Sequence, residues 1–261
     1  MSCVRMSRTP KIAARRVGLA RALSKLGICS RSRAAEMIRR GEVRLDGVVK
    51  RDPETPVVLA RDRIEVAGEQ ASASDKIYLM MNKPRGLVTT ASDEKGRATI
   101  YELLKEHGHA SWIAPVGRLD KASEGLLLLT NDSEWGARMI DPATHLEKAY
   151  QVQVGCVLEQ GALQTIRAGV KSKDGELLRV KRASLLRSGQ KNCWLEIVLD
   201  EGKNRQIRRI FESMEIEVLR LVRVAIGTLK LGALPKGQVR ALSRDEKRAL
   251  NAAMGKRVAM F

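Results

Sequence analysis

The 261-residue sequence predicts an α+β protein in two parts: a small helix-helix-hairpin module, then a larger domain whose mixed, mainly antiparallel central sheet is flanked by helices. Three observations predict it. Residues 17–40 place apolar side chains at helical spacing in two runs closed by glycines, and Asp46-Gly47 stands between alternating apolar segments. Beyond a small, polar, unpatterned stretch at Gly68 to Asp75, the chain turns to short apolar runs and strict two-residue alternation. A composition that is 44% apolar fits a globular chain long enough to bury a sizeable core.

Residues 1–16 read as a basic arm without apolar periodicity, suited to lying along phosphates. From Val17, the stripe Val17, Leu19, Ala20, Leu23 and Leu26 predicts a helix ended by Gly27. Ser30 is placed to cap a second helix carrying Ala34, Met37 and Ile38 up to Gly41. Asp46-Gly47 predicts a tight hairpin turn, and Arg63 to Val66 a further strand. The first domain is therefore set at 17–67, the linker at 68–75 and the larger domain at 76–255.

In the larger domain Ile77 to Met81, Trp112 to Val116 and Gly125 to Thr130 read as buried strands. Lys148 to Val154 and Cys193 to Leu199 alternate like half-buried antiparallel ones. Ser133 to Ile140, Glu159 to Ala168 and Lys203 to Met214 carry helical spacing.

Charge narrows the partner. The 48 Lys and Arg against 30 Asp and Glu leave a formal net charge of +18, a field that favours a polyanion, most commonly nucleic acid. In residues 1–70, sixteen Lys or Arg face eight Asp or Glu, and Arg31, Arg33, Arg39 and Arg40 decorate the second helix as a candidate phosphate face. Aromatic residues make up only 3%, too few for a broad stacking platform, so shape and phosphate contacts to a folded RNA are expected to dominate. Cys3, Cys29, Cys156 and Cys193 form no C-x-x-C pair, and His107, His109 and His145 form no ligand set. Neither a metal site nor a disulfide framework is expected, and a reducing, cytoplasmic setting fits. No apolar run approaches the ~20 residues that span a bilayer. The acid-poor start, whose first acidic residue is Glu36, also admits reading as a targeting segment.

Chemistry concentrates in PVGRLDKASEGLLLLTND, residues 115–132, where Arg118 and Asp120 share a short loop between two apolar strands. In an extended loop their side chains project to one side. By spacing alone, this pair is more readily read as pinning a turn than as carrying a reaction.

Several stretches add a resemblance. LARALSKLGICSRSRAAEMIRRGEVRLDGVV resembles the small RNA-binding domain first described in ribosomal protein S4. The 115–132 string resembles the signature of the pseudouridine synthase family that includes the ribosomal small-subunit enzyme and its large-subunit relatives. NKPRGLVTT (82–90), EKAYQVQV (147–154), EGKNRQIRRIFE (201–212) and the stretch 219–246 are similar to further motifs of that family, in the expected order.

The resemblance implies isomerisation of a uridine in structured RNA, most consistent with large-subunit ribosomal RNA or a ribosome precursor, by a monomer that needs no cofactor. Asp120 matches the catalytic carboxylate, Arg118 the arginine two positions earlier, Tyr150 the tyrosine against the base, and Arg208 the basic partner of the aspartate. Lys203 and Arg205 remain alternatives for the carboxylate or a phosphate, and Leu221 a candidate wall of the base pocket. Ser123 stands where the family usually has threonine, which keeps the hydroxyl and loses a methyl. A uracil inside a helix cannot be reached, so base flipping is expected. Two other readings compete: a catalytically silent RNA-binding or ribosome-assembly protein, and a glycoside hydrolase, which would need a second acid such as Glu124 across the substrate.

Overall fold

The computed structural model describes residues 16–90, 95–109 and 112–255. The basic arm expected at 1–16 therefore lies, apart from Arg16, outside the described residues. The chain divides into two compact units between Asp75 and Lys76.

In the first unit, local signals explain each element. The helix Leu19–Leu26 ends at Gly27, which adopts the left-handed conformation (φ 80°). Ser30 accepts a hydrogen bond from the Arg33 N–H at 3.1 Å and so opens the helix Arg31–Arg40. Asp46 and Gly47, both at positive φ, form the tight turn between strands Val43–Leu45 and Val48–Lys50. These belong to a four-stranded antiparallel sheet in the order 48–50, 43–45, 64–66, 69–70. The last strand, Glu69–Gln70, falls inside the stretch read as linker. Two backbone-paired residues carry no side-chain alternation long enough to see in sequence. Leu19, Leu23, Ala34, Ile38, Val43 and Val57 close the core.

The second unit is built on a nine-stranded sheet. Its main path runs 182–188, 193–199, 148–154, 218–226, 124–130, 78–83, 239–241, with 229–230 on the strand 218–226 and 114–116 on the strand 124–130. Every pair is antiparallel except 218–226 with 124–130. Glu124–Thr130 is buried along its whole length because separate apolar clusters cover its two faces, Leu126 and Leu128 on one and Leu127 and Leu129 on the other. Helices Gln160–Ala168 and Gln206–Ser213 cover the outer antiparallel half through Ile166, Ile207, Ile210 and Phe211. Gly125 (φ 100°) makes the one parallel junction possible, since a Cβ there would stand 2.3 Å from the Arg223 carbonyl oxygen.

Candidate active site

The loop 117–123 joins the paired strands Ala114–Val116 and Glu124–Thr130. Leu119 is buried in the core while Arg118 is exposed and Asp120 half-buried, so the alternation expected of an extended loop sends Arg118 and Asp120 away from the core. The segment 83–89 straps this loop from behind. Gly86 N–H donates to the Lys121 carbonyl at 2.8 Å, and the Thr89 hydroxyl donates to the Leu119 carbonyl at 2.8 Å. Lys83 is completely buried, and its Nζ donates to the carbonyls of Pro84 (3.1 Å), Asp120 (3.2 Å) and Ser123 (2.9 Å). Desolvation pushes its pKa down to about 8, although the Asp120 and Glu124 carboxylates oppose the shift.

In front of the loop a cavity of about 660 Å³ is lined by Arg118, Asp120, Tyr150, Lys203, Arg205 and Leu221, all six of them singled out from sequence. Ser123, Lys148, Glu201, Asn204, Gln206 and Arg223 complete its polar wall, with Val116, Leu128, Ile207 and Ile226 among its apolar residues. Tyr150 and Arg223 are register partners on adjacent strands.

The ion pair to Asp120 comes from Arg205, at 3.7 Å, and not from Arg208 as the resemblance implied. Arg205 stands at the start of its helix with φ 48°, a left-handed residue outside glycine, and its side chain is 51% exposed. Arg208 points to the loop backbone instead: its Nη2 donates to the Ala122 carbonyl at 3.0 Å. Burial and the neighbouring Arg205 disfavour the Arg208 charge, Asp120 favours it, and Arg85 again opposes it, so the carboxylate lies within electrostatic reach. Lys203 stands on the cavity wall but pairs with Glu176 at 3.1 Å and Glu201 at 3.6 Å, not with Asp120.

Sequence reasoning missed Lys83, Arg223 and Glu124 as parts of the site's frame. Glu124 is 2% exposed, and Arg220 (3.0 and 3.1 Å) and Lys236 (2.6 Å) take both its oxygens. Burial alone would raise its pKa, but those two partners outweigh burial and hold the carboxyl below its ordinary range. It does not line the cavity and so is not the second acid a glycosidase would need, and the other carboxylate on the cavity wall, Glu201, is paired with Lys203 at 3.6 Å. For Lys83 and Glu124 a signal was available: a lone charge at the end of an otherwise apolar strand, as in YLMMNK and EGLLLLT.

Comparison with known proteins agrees with this arrangement. A family model described as RNA pseudouridylate synthase matches residues 77–213, just over half of the chain. The chain belongs to this family. It is a pseudouridine synthase, an isomerase, and the catalytically silent alternative falls away. An S4 domain model matches residues 17–64 of the synthase. Over 235 residues the synthase is 32% identical to the ribosomal large subunit pseudouridine synthase B of Bacillus subtilis, covering 90% of this chain and 95% of that one. Over 234 residues it is 36% identical to an uncharacterized RNA pseudouridine synthase of Aquifex aeolicus, covering 89% and 93%. A crystal structure of a pseudouridylate synthase aligns with a TM-score of 0.63 at 27% identity, covering 90% of this chain and 99% of that one. Among the described residues no helix is long and apolar enough to cross a membrane.

Proposed function

We propose that the synthase acts in the cytoplasm as a monomer and isomerises one uridine of large-subunit ribosomal RNA, with Asp120 as the catalytic carboxylate and without a cofactor. The observation that carries this is Asp120 at the mouth of a largely apolar cavity whose loop is fixed from behind by a buried lysine. The relative of known substrate class, an enzyme of the ribosomal large subunit, supports the choice of RNA.

The target nucleotide flips out of its stack into the cavity, at a cost of roughly a few kcal/mol. Tyr150 recovers part of it, since stacking one base on an aromatic ring contributes about 1–3 kcal/mol. Leu221, 6% exposed, is the apolar wall, and Arg118, exposed at the loop tip, fills the place the base leaves. Arg205 releases Asp120 or holds the adjoining phosphate, and Arg208 steadies the loop through Ala122. Lys203 contributes charge at the rim.

Arg31, Arg33, Arg39 and Arg40 of the S4 domain lie exposed on one helix and take RNA phosphates. Arg33 and Arg40 share Glu36, whereas Arg31 and Arg39 form no ion pair among the described residues, so the latter two are the freer phosphate ligands.

The test is a map of pseudouridines in ribosomal and transfer RNA from cells lacking the synthase, with and without the native gene restored. One large-subunit position that disappears and returns supports the assignment. A lost position in transfer RNA or the small subunit overturns the choice of RNA.

A further inference from the structure

Among the described residues, three buried side-chain polar atoms have no hydrogen-bond partner: Gln206 Oε1, Arg208 Nε and Arg223 Nη2. All three border the Asp120 loop or its cavity. Unpaired buried polar atoms are rare in native folds, and a cluster of them at one site points to a partner that arrives from outside.

Arg223 is the most demanding of the three. It is 5% exposed, lines the cavity, and forms no ion pair among the described residues. Its Nε is anchored to the Leu126 carbonyl at 2.7 Å, which leaves Nη2 as the spare donor. Its charge reaches Lys148 on the cavity wall, where burial and then Arg223 disfavour the ammonium. A guanidinium out of water without a counter-charge costs several kcal/mol, a cost that a purely structural strut could avoid with an apolar side chain.

We propose that Arg223 is a second catalytic residue, whose guanidinium stabilises the negative charge that develops on the uracil carbonyl oxygens as the base is detached. This rests on the reading that puts the target uracil in the Asp120 cavity, and it names what that cavity does to the base.

The charge arises by every route open to Asp120. In direct displacement, the carboxylate bonds to C1′ as C1′–N1 breaks, and the bonding pair leaves with N1, spread over O2 and O4. In elimination, a proton leaves C2′ to the carboxylate, its bonding pair forms C1′=C2′, and the C1′–N1 pair again departs with the base. In addition to the ring, the carboxylate bonds to C6 and the C5=C6 pair moves onto O4. C5 then bonds to C1′: in displacement this expels the carboxylate from C1′, in elimination the carboxylate returns its proton to C2′, and after addition C1′–N1 breaks first and loss of the C5 proton later expels the carboxylate from C6. Each route ends with the C5 proton released and a proton taken up at N1, so no oxidant or reductant is needed. Arg223, buried on the cavity wall next to Tyr150, places a fixed positive charge beside the ring, and a donor held in a desolvated position is most effective there.

The experiment compares native enzyme, Arg223→Met, Arg223→Lys and Asp120→Asn in single turnovers on RNA carrying uridine or 5-fluorouridine at the target. Fluorine makes the departing base a weaker base that needs less help. Arg223→Met is expected to slow C1′–N1 cleavage about a hundredfold on uridine, the usual cost of one lost transition-state donor, and about tenfold or less on 5-fluorouridine. RNA affinity should stay within roughly twofold, since the loss falls in the transition state. Arg223→Lys should recover part of the rate, and it carries the same comparison if the methionine variant fails to fold. Equal losses on both bases, or a loss on uridine below about threefold, overturn the role of Arg223. Activity in Asp120→Asn would instead overturn the site reading itself.

Discussion

Behind the 117–123 loop, a fully buried ammonium holds three main-chain carbonyls, while in front of it the Asp120 carboxylate pairs with a half-exposed guanidinium at 3.7 Å. The two cations sit on opposite sides of one residue and do different work. Lys83 is surrounded, bonded to three carbonyls and desolvated, so it fixes where Asp120 stands. Arg205 is held loosely at the edge of solvent, where an ion pair contributes about 0–1 kcal/mol, so it can be displaced by a substrate phosphate. The site is thus rigid behind the carboxylate and exchangeable in front of it.

Changes behind the loop should therefore cost far more than changes in front. Lys83→Met leaves two loop carbonyls, those of Asp120 and Ser123, and the Pro84 carbonyl without their donor, each at ~1–3 kcal/mol. Its kcat is expected to fall by about one to two orders of magnitude with little change in RNA affinity, as a misplaced catalytic group produces. A variant with native kcat would erase the asymmetry between the two sides.

The same lysine gives that asymmetry a pH signature. Burial lowers its pKa from 10.5 to about 8, so the folded state gives up the proton before the unfolded chain does. The penalty of burying the ammonium is present in full below pH 8 and is relieved as pH rises from about 8 towards 10.5. Measured as native minus Lys83→Met, stability should rise across that window. Activity of the native enzyme should fall over it, because the neutral amine has one donor fewer for the loop. A rate profile without an alkaline limb near pH 8, or with the same limb in Lys83→Arg, contradicts this.

In front of the loop, Arg205→Gln should raise KM by about three- to tenfold with a smaller effect on kcat, since it removes a phosphate ligand and not the support of Asp120. A loss confined to kcat would move Arg205 into the rigid frame. Smallest per residue, Arg31→Gln with Arg39→Gln should weaken RNA binding uniformly across sequences and lower the salt slope by about two, one for each phosphate no longer neutralised. An unchanged slope would remove that helix from the interface.

How legible all this was in the sequence follows the range of the interactions. Elements set by neighbours were readable: the Ser30 cap, the Asp46-Gly47 turn, and the strands 148–154 and 193–199 with their alternation. The helix at Ile100–Glu106 was missed although Thr99 and Glu102 form a capping box, a signal that was present and unread. The helix expected from Lys203 begins only at Gln206, because Arg205 takes a left-handed conformation that helical periodicity cannot announce. Asp120, Tyr150, Arg205 and Leu221 were legible through resemblance, and the fold gathers them around one cavity. The partner of Asp120 was not legible, since Arg205 and Arg208 are both arginines within one helical turn and only the loop geometry separates them.

If the Asp120 carboxylate performs the chemistry in a site whose binding parts stand without it, rate and affinity must separate when that carboxylate is removed. The measurement is single-turnover conversion and RNA affinity, side by side, for the native enzyme and Asp120→Asn. The rate is expected to fall by roughly a thousandfold or more while the dissociation constant stays within about threefold. An Asp120→Asn enzyme that still converts uridine at about a tenth of the native rate or faster would place the chemistry elsewhere.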